Sequence, residues 1–205
     1  MKPITIIKNR SDIGAGTRGS DLGVDAIEIA AINQQNPFFN EHPHIDVPTH
    51  NETIYNKNFL KTEHRIGFVL EQCQRVCDAV STVLRDDKFP LILSGDHSSA
   101  FGSLAGIQHA QPSKTLGVIW IDAHADLHSP LSSPSGNVHG MPLAAALGFN
   151  NETLAVNEVN EKTHQLWDEL KKVGGDQAKV APEHLIFFGV RDTEEPEDKV
   201  MEQNN

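Results

Sequence analysis

The stretch from Leu116 to Gly140, LGVIWIDAHADLHSPLSSPSGNVHG, decides the predicted fold of this 205-residue chain. It opens with the apolar run Leu116–Ile121, and the polar sequence DAHAD follows at 122–126. An uninterrupted apolar run is typical of a strand buried on both faces, and such strands belong mostly to parallel sheets. We therefore predict a parallel strand with a polar cluster at its carboxyl end.

The polar cluster predicts a metal site. In an extended backbone alternate side chains share a face, so we expect Asp122, His124 and Asp126 to lie on one side. Two carboxylates and an imidazole beside a buried strand are costly unless a cation neutralises them. A divalent metal is the simplest such cation. A helix cap or a hydrogen-bonded loop residue remains the alternative for each of them taken alone.

A second apolar run, Phe89–Ser94, is followed by Gly95-Asp96-His97-Ser98. Ligands bind at the carboxyl ends of the strands in open α/β sheets, so we expect His97 to meet the DAHAD cluster. Asp96 and Ser98 are expected to cap the helix that follows.

Strand and helix patterns alternate along the chain. This predicts one α/β domain over residues 1–205, with three layers (α/β/α) and a mostly parallel sheet. We expect Leu91–Ser94, Leu116–Ile121 and Leu185–Phe188 to share that sheet. The remaining elements are expected as follows: a strand at 3–7, a short edge strand at 47–49, and helices at 22–34 (capped by Asp21), 59–85, 99–109, 139–147 and 162–172, before a polar tail.

The composition argues against some classes of function. A formal net charge of -11 argues against binding nucleic acid or an anionic membrane, and suits a cationic substrate or divalent cations. Cys73 and Cys77 lie four residues apart in a predicted helix, where they are expected to be packed thiols. With no visible signal peptide or membrane span, we expect a cytoplasmic protein.

The segments SGDHSSAFG (94–102) and DAHADLHSPLSSPSGNVHGMP (122–142) resemble the ureohydrolases, and the arginases most closely. The resemblance spans the chain and is strongest from Leu91 to Leu147. It implies an arginase-like fold and hydrolysis of a small guanidino substrate, L-arginine to L-ornithine and urea, by a hydroxide that bridges two Mn²⁺ ions. Agmatinase and formimidoylglutamase activities remain alternatives. The resemblance also implies a homo-oligomer, either a trimer or a hexamer.

The resemblance assigns roles to individual residues. The metal ligands would be His97, Asp122, His124 and Asp126, with Asp126 also catalytic and His139 a proton shuttle to the leaving amine. The α-carboxylate of the substrate would be bound by His128, Ser133, Ser135 and Asn137, and its α-amino group by Glu194 or Asp192, with Glu197 a weaker candidate. His128 stands where the family has asparagine, and this departure bears on carboxylate recognition.

The sequence also departs from the family in length. Full-length ureohydrolases continue further and carry an Asp-x-Asp motif that bridges both metals, whereas no such motif follows Asp126 here. We therefore expect a chain truncated at its C-terminus, which binds one Mn²⁺ ion or none and is nearly inactive alone. A non-catalytic metal-binding protein is the alternative to an enzyme.

Overall fold

The computed structural model describes residues 2–56 and 61–204, apart from the side chains of 62–64. Its strands are β1 (Ile4–Asn9), β2 (His44–Asp46), β3 (Phe89–Ser94), β4 (Val118–Ile121) and β5 (Leu185–Phe188). Its helices are α1 (Leu22–Asn33), α2 (Phe38–Glu41), α3 (Thr62–Arg85), α4 (Ala100–Ala110), α5 (Pro142–Leu147), α6 (Glu161–Lys171) and α7 (Glu195–Gln203). Short 3₁₀ turns lie between them.

The strands form two parallel sheets. The first has the order β2-β1-β3, with Ile6 opposite Leu91, and the second pairs β4 with β5, with Val118 opposite Leu185. The prediction of an α/β fold with parallel strands is confirmed. The expectation that the three apolar runs share one sheet is wrong, because β3 and β4 do not pair and instead face each other across a cleft.

Helices cover both faces of the first sheet. Val76 and Val80 of α3 are fully buried and pack with Ile7 of β1 on one face. Lys8, the next residue of β1, points to the other face and pairs with Glu28 of α1 at 2.6 Å. The predicted three layers are therefore present around this sheet.

The second sheet is covered on one face. Val118 and Trp120 are 9% and 7% exposed and join the main hydrophobic core, which includes α4, α5 and α6. Ile119 and Ile121, which alternate with them, are 65% and 80% exposed. One face of this parallel sheet therefore lies open to solvent.

Four local features differ from the predictions or lie outside the described residues. The edge strand lies at His44–Asp46 rather than 47–49, because Pro48 has no N–H to donate to a ladder. Asp21 makes no side-chain cap on α1, since its carboxylate binds Arg18 instead. The helix α7, Glu195–Gln203, was not predicted, and the expected polar tail begins in its last turn. The predicted start of the long helix, Phe59, lies outside the described residues.

No helix in the described part of the chain is both long and apolar enough to cross a membrane.

Candidate functional site

The candidate site lies at the carboxyl ends of β3, β4 and β5. His97 follows β3, Asp122 follows β4 and Asp192 follows β5. This is the edge at which parallel α/β sheets bind ligands. The backbone joins the last two segments, because Arg191 N–H and Asp192 N–H both donate to the carbonyl of Ala123, at 2.9 and 3.0 Å.

His97, Asp122 and Asp126 form a cluster that could hold a metal ion, with one ligand atom of each within 4.8 Å of the others. His97 Nδ1 lies 2.7 Å from Asp126 Oδ2 and 3.3 Å from Asp122 Oδ2. The His97 ring stacks on Trp120, with ring centroids 4.7 Å apart, and this contact fixes its position. The predicted convergence of His97 with the DAHAD segment is therefore present in the structure.

The convergence does not arise as the sequence argument supposed. β4 ends at Ile121, and Asp126 has φ +52°, so the DAHAD segment is not extended. Asp and Asn tolerate this left-handed conformation better than most other residues. The turn places the Asp126 carbonyl at the start of α5, where Leu143 N–H and Ala144 N–H donate to it at 3.1 and 3.3 Å.

The charges of the cluster are mutually dependent. Burial lowers the pKa of His97, but its close contact with the Asp126 carboxylate and the other nearby carboxylate charges outweigh this and raise the pKa overall. Burial raises the pKa of Asp122, but the His124 backbone N–H and the charges of His97 and His124 lower it overall. The raised pKa of His97 favours its protonated form, whose positive charge partly neutralises the two carboxylates.

His124 lies on the far side of Asp122. Its Nδ1 is 3.3 Å from Asp122 Oδ1, whereas His97 approaches Asp122 Oδ2. Within the described residues, His124 does not belong to the three-residue cluster. Asp122 thus lies between two histidines and presents a different oxygen to each of them.

The residues of the cluster fit a hard divalent cation. Asp126 Oδ2 is buried and accepts no hydrogen bond of acceptable geometry, although His97 is close to it. A buried carboxylate oxygen in this state costs free energy unless a cation binds it. Carboxylate oxygens with few imidazoles suit Mn²⁺ or Mg²⁺ better than a metal that prefers thiolates.

A second cavity, of about 250 Å³, adjoins the cluster and is bordered by the 133–137 loop. His124, Asp126 and His139 also line the larger cleft between the sheets, so these residues form the wall that the two cavities share. His139 Nδ1 lies 3.3 Å from the carbonyl of Gly14. A carbonyl only accepts, so Nδ1 must carry a proton in this contact and Nε2 remains for exchange.

The residues predicted to bind the substrate carboxylate line this second cavity. Ser133 Oγ accepts from Gly136 N–H at 3.0 Å, and Ser135 Oγ accepts from Asn137 N–H at 3.2 Å. Asn137 Oδ1 accepts a hydrogen bond from Arg65 of α3. Arg65 was missed by sequence reasoning, because nothing in a helical pattern indicates that a distant arginine reaches this loop.

The acidic candidates line the same cavity. Glu194 and Glu197 approach His128 Nε2 at 3.4 and 3.5 Å, and Asp192 lies 3.6 Å from His124 Nε2. Glu197 is buried and accepts from Leu127 N–H and Glu194 N–H, both at 3.1 Å. Glu197 therefore has a structural role, whereas the Glu194 and Asp192 side chains are 52% and 80% exposed and remain accessible.

The glycine-rich N-terminal loop is held against this site. Gly14 N–H donates to Asp96 Oδ2 at 3.1 Å, and a Cβ at Gly14 would lie 2.3 Å from Asp96 Oδ1. Asp96 also accepts from Ser98 N–H at 2.9 Å, so it caps the 3₁₀ turn His97–Ser99; the helix α4, which Asp96 and Ser98 were predicted to cap, has no side-chain cap. Only glycine allows the loop to approach so closely.

Comparison with known proteins agrees with this geometry. The family model described as "Arginase family" matches residues 2–205. The arginase of Bacillus caldovelox is 36% identical over 209 residues, covering 99% of this chain and 62% of that protein. The arginase of Bacillus subtilis is also 36% identical, over 205 residues, with the same coverage of both chains.

Solved arginase structures also match this chain. The structure of the B. caldovelox arginase superposes with a TM-score of 0.79 at 35% identity, covering 100% of this chain and 63% of that one. A formimidoylglutamase from B. subtilis, at 18% identity and a TM-score of 0.56, shares the fold. The chain spans about 62% of the length of the arginases that it matches in sequence. With the family model matching nearly every residue and the ligand cluster in place, this chain belongs to the arginase family.

Proposed function

We propose that this chain provides the metal-binding part of a hydrolase that converts L-arginine to L-ornithine and urea. The observation that supports this best is the wall shared by the two cavities. His124, Asp126 and His139 line both the cleft with the metal-binding cluster and the cavity with the polar loop. A substrate whose amino-acid end occupied the second cavity would place its guanidino group at this wall.

Manganese is the proposed metal. His97, Asp122 and Asp126 would hold one ion, and His124 together with the second oxygen of Asp122 would contribute to another. When bound, such ions lower the pKa of water and so supply a nucleophile near neutral pH. The protein residues described here hold the ions, orient the substrate and move a proton.

His139 is proposed to deliver that proton. Its Nδ1 donates to the Gly14 carbonyl, which leaves Nε2 as the nitrogen that can protonate the departing amine. An imidazole nitrogen can both take up and give a proton, which suits this role. The two hydrogen bonds from His139 to Gly14, through its ring and through its backbone N–H at 3.2 Å, hold the ring at the shared wall.

The second cavity is proposed to recognise an amino acid rather than a simple amine. Arg65 can only donate, so its contact with Asn137 Oδ1 leaves the Asn137 Nδ2 donors available for a carboxylate. Glu194 and Asp192 supply negative charge to the same cavity for the α-amino group. A cavity with both an amide donor for a carboxylate and acids for an α-amino group favours arginine over agmatine, which has no carboxylate.

The test of the hydrolase assignment is urea release from L-arginine by the purified 205-residue chain after addition of Mn²⁺. The described residues offer too few ligands for two ions, and the loss of one metal contact forfeits about 4 kcal/mol of transition-state stabilisation. We therefore expect turnover roughly a thousandfold below an ordinary rate of about 10 per second, abolished by Asp126→Asn. Manganese binding without any urea, or urea release that survives Asp126→Asn, contradicts the assignment.

The test of the substrate is a comparison of L-arginine, agmatine and formimidoylglutamate with the wild-type chain and Asn137→Ala. Loss of one hydrogen bond to a charged group is worth about 1.5–3 kcal/mol, so kcat/KM for arginine should fall roughly 10- to 100-fold in the variant. The value for agmatine should stay unchanged. An equal loss for both would show that Asn137 acts on the fold of the loop and not on the carboxylate.

A further inference from the structure

Arg65 of α3 lies behind the second cavity, against the 133–137 loop. The residue is buried, with 6% of its surface exposed, and its Nη1 donates to Asn137 Oδ1. Of these two residues, Asn137 lines the cavity and Arg65 lies one layer further out. The guanidinium can therefore act on the cavity through the Asn137 amide and through its positive charge.

The contact decides which end of the Asn137 amide is held. A guanidinium has N–H donors and no acceptor, so Arg65 can bind only the oxygen of the amide. This leaves the two Nδ2 donors for the cavity. The terminal torsion of asparagine has two roughly equivalent wells, so a partner that could also accept would permit the opposite orientation, with the oxygen towards the cavity.

Gly16 of the N-terminal loop packs against both side chains. A Cβ at Gly16 would lie 3.3 Å from Arg65 Nη1 and 3.5 Å from Asn137 Oδ1, and Gly16 has φ +70°. A larger residue would crowd the contact and would be strained by its backbone conformation. The pair is thus bordered by α3, the N-terminal loop and the 133–137 loop, and a hydrogen bond shielded from water in this way is electrostatically stronger.

The charge of Arg65 has a second effect. The carboxylates of Asp126, Asp192, Glu194 and Glu197 line the cavity, and among the described residues no lysine or arginine lines it. These acids would repel the carboxylate of a ligand. The buried guanidinium supplies permanent positive charge on the side of the 133–137 loop, and it polarises the amide N–H groups that would donate to such a carboxylate.

We propose that Arg65 is a positioning residue that makes the second cavity selective for ligands with an α-carboxylate. It holds the Asn137 amide with its donors towards the cavity and does not itself contact the ligand. This inference rests on the proposed function, in which the cavity takes the amino-acid end of the substrate. It adds a residue of α3, 72 positions away in sequence, to the determinants of specificity.

The experiment measures ligand binding by isothermal titration calorimetry, without added metal and without turnover. The ligands are L-ornithine and putrescine, which is the same diamine without the carboxylate. Arg65→Met removes the donors and the charge. It should weaken L-ornithine binding at least about tenfold, the loss expected for one hydrogen bond to a charged group, and should change putrescine binding less than about twofold.

Three further variants separate positioning from a general effect on the fold. Arg65→Lys should restore part of the preference for L-ornithine, because an ammonium group also only donates. Arg75→Met is the matched control, since Arg75 also belongs to α3 but donates to the Pro48 carbonyl, and it should leave both affinities unchanged. In an Asn137→Ala background, Arg65→Met should change the preference by less than about threefold, because the amide it positions is absent.

The possible results distinguish this proposal from the proposed function. Equal losses for both ligands in Arg65→Met, an unchanged preference, an Arg65→Lys variant that behaves as Arg65→Met does, or an undiminished effect in the Asn137→Ala background would each overturn the role of Arg65 and leave the proposed function in place. A wild-type chain that does not prefer L-ornithine to putrescine would contradict the amino-acid cavity itself, and the role of Arg65 with it.

Discussion

The metal-binding cluster makes a quantitative prediction about stability. Asp126→Asn keeps the shape of the side chain and a residue type that tolerates φ +52°, so the fold should survive. The variant removes the charge from one of the three residues whose ligand atoms lie within 4.8 Å of one another. Manganese should therefore stabilise the wild-type chain and have little effect on the variant.

The size of the effect follows from binding linkage. A ligand present at a hundred times its Kd stabilises the folded state by about 2.7 kcal/mol, which is roughly 5–10 °C in Tm for a chain of this length. If loss of one charged ligand weakens binding about a hundredfold, the same Mn²⁺ concentration only equals the new Kd. The stabilisation then falls to about 0.4 kcal/mol, or less than about 2 °C.

The assay is thermal unfolding followed by circular dichroism, with and without Mn²⁺, at the concentration that saturates the wild-type chain. Asp176→Asn is the matched control, because Asp176 is exposed and lies outside the metal-binding cluster. It should shift with Mn²⁺ as the wild type does. The reasoning is refuted if Asp126→Asn retains the full Mn²⁺-dependent shift, or if wild-type Tm does not respond to the metal.

Three further predictions concern the surroundings of the site. Glu197→Ala leaves the buried Leu127 N–H and the part-buried Glu194 N–H without their acceptor and should cost about 2–4 kcal/mol, seen as a lower midpoint in urea unfolding; an unchanged midpoint contradicts its structural role. Burial raises the pKa of Cys77 to about 11, so at pH 8 its labelling should be about 200-fold slower than that of a free thiol, and labelling at the free-thiol rate contradicts its burial. Gly14→Ala places a Cβ 2.3 Å from Asp96 Oδ1 and should cost about 1–3 kcal/mol by thermal unfolding, whereas wild-type stability would show that the loop can move away.

The sequence predicted the site better than it predicted the sheet. Apolar runs followed by GDHS and DAHAD indicate parallel strands whose polar ends meet, and His97, Asp122 and Asp126 do converge. Apolar runs do not indicate which strands are neighbours, because paired parallel strands are joined by long crossover connections and are often far apart in the sequence. The division into two sheets was therefore not predictable from strand patterns alone.

The details of the site depended on backbone conformations and contacts that sequence patterns do not encode. The left-handed turn at Asp126 replaced the extended segment on which the alternation argument rested. Arg65 reaches Asn137 across 72 residues of sequence, and Glu197, a weak candidate for substrate binding, accepts a hydrogen bond from Leu127 N–H instead. In both contacts a side chain satisfies a polar group that the chain brings close only after folding.

The position of the metal-binding cluster across the cleft has a mechanical consequence. His97 belongs to the first sheet, whereas Asp122 and Asp126 belong to the second, and no main-chain ladder joins β3 to β4 in the described structure. The separation of these ligands is set instead by the stacking of His97 on Trp120, at 4.7 Å, and by the packing of α3 against α4 beneath the cleft. Side-chain packing alone adjusts more readily than a hydrogen-bonded sheet, so metal affinity should respond to whatever occupies the cleft, even without a new ligand.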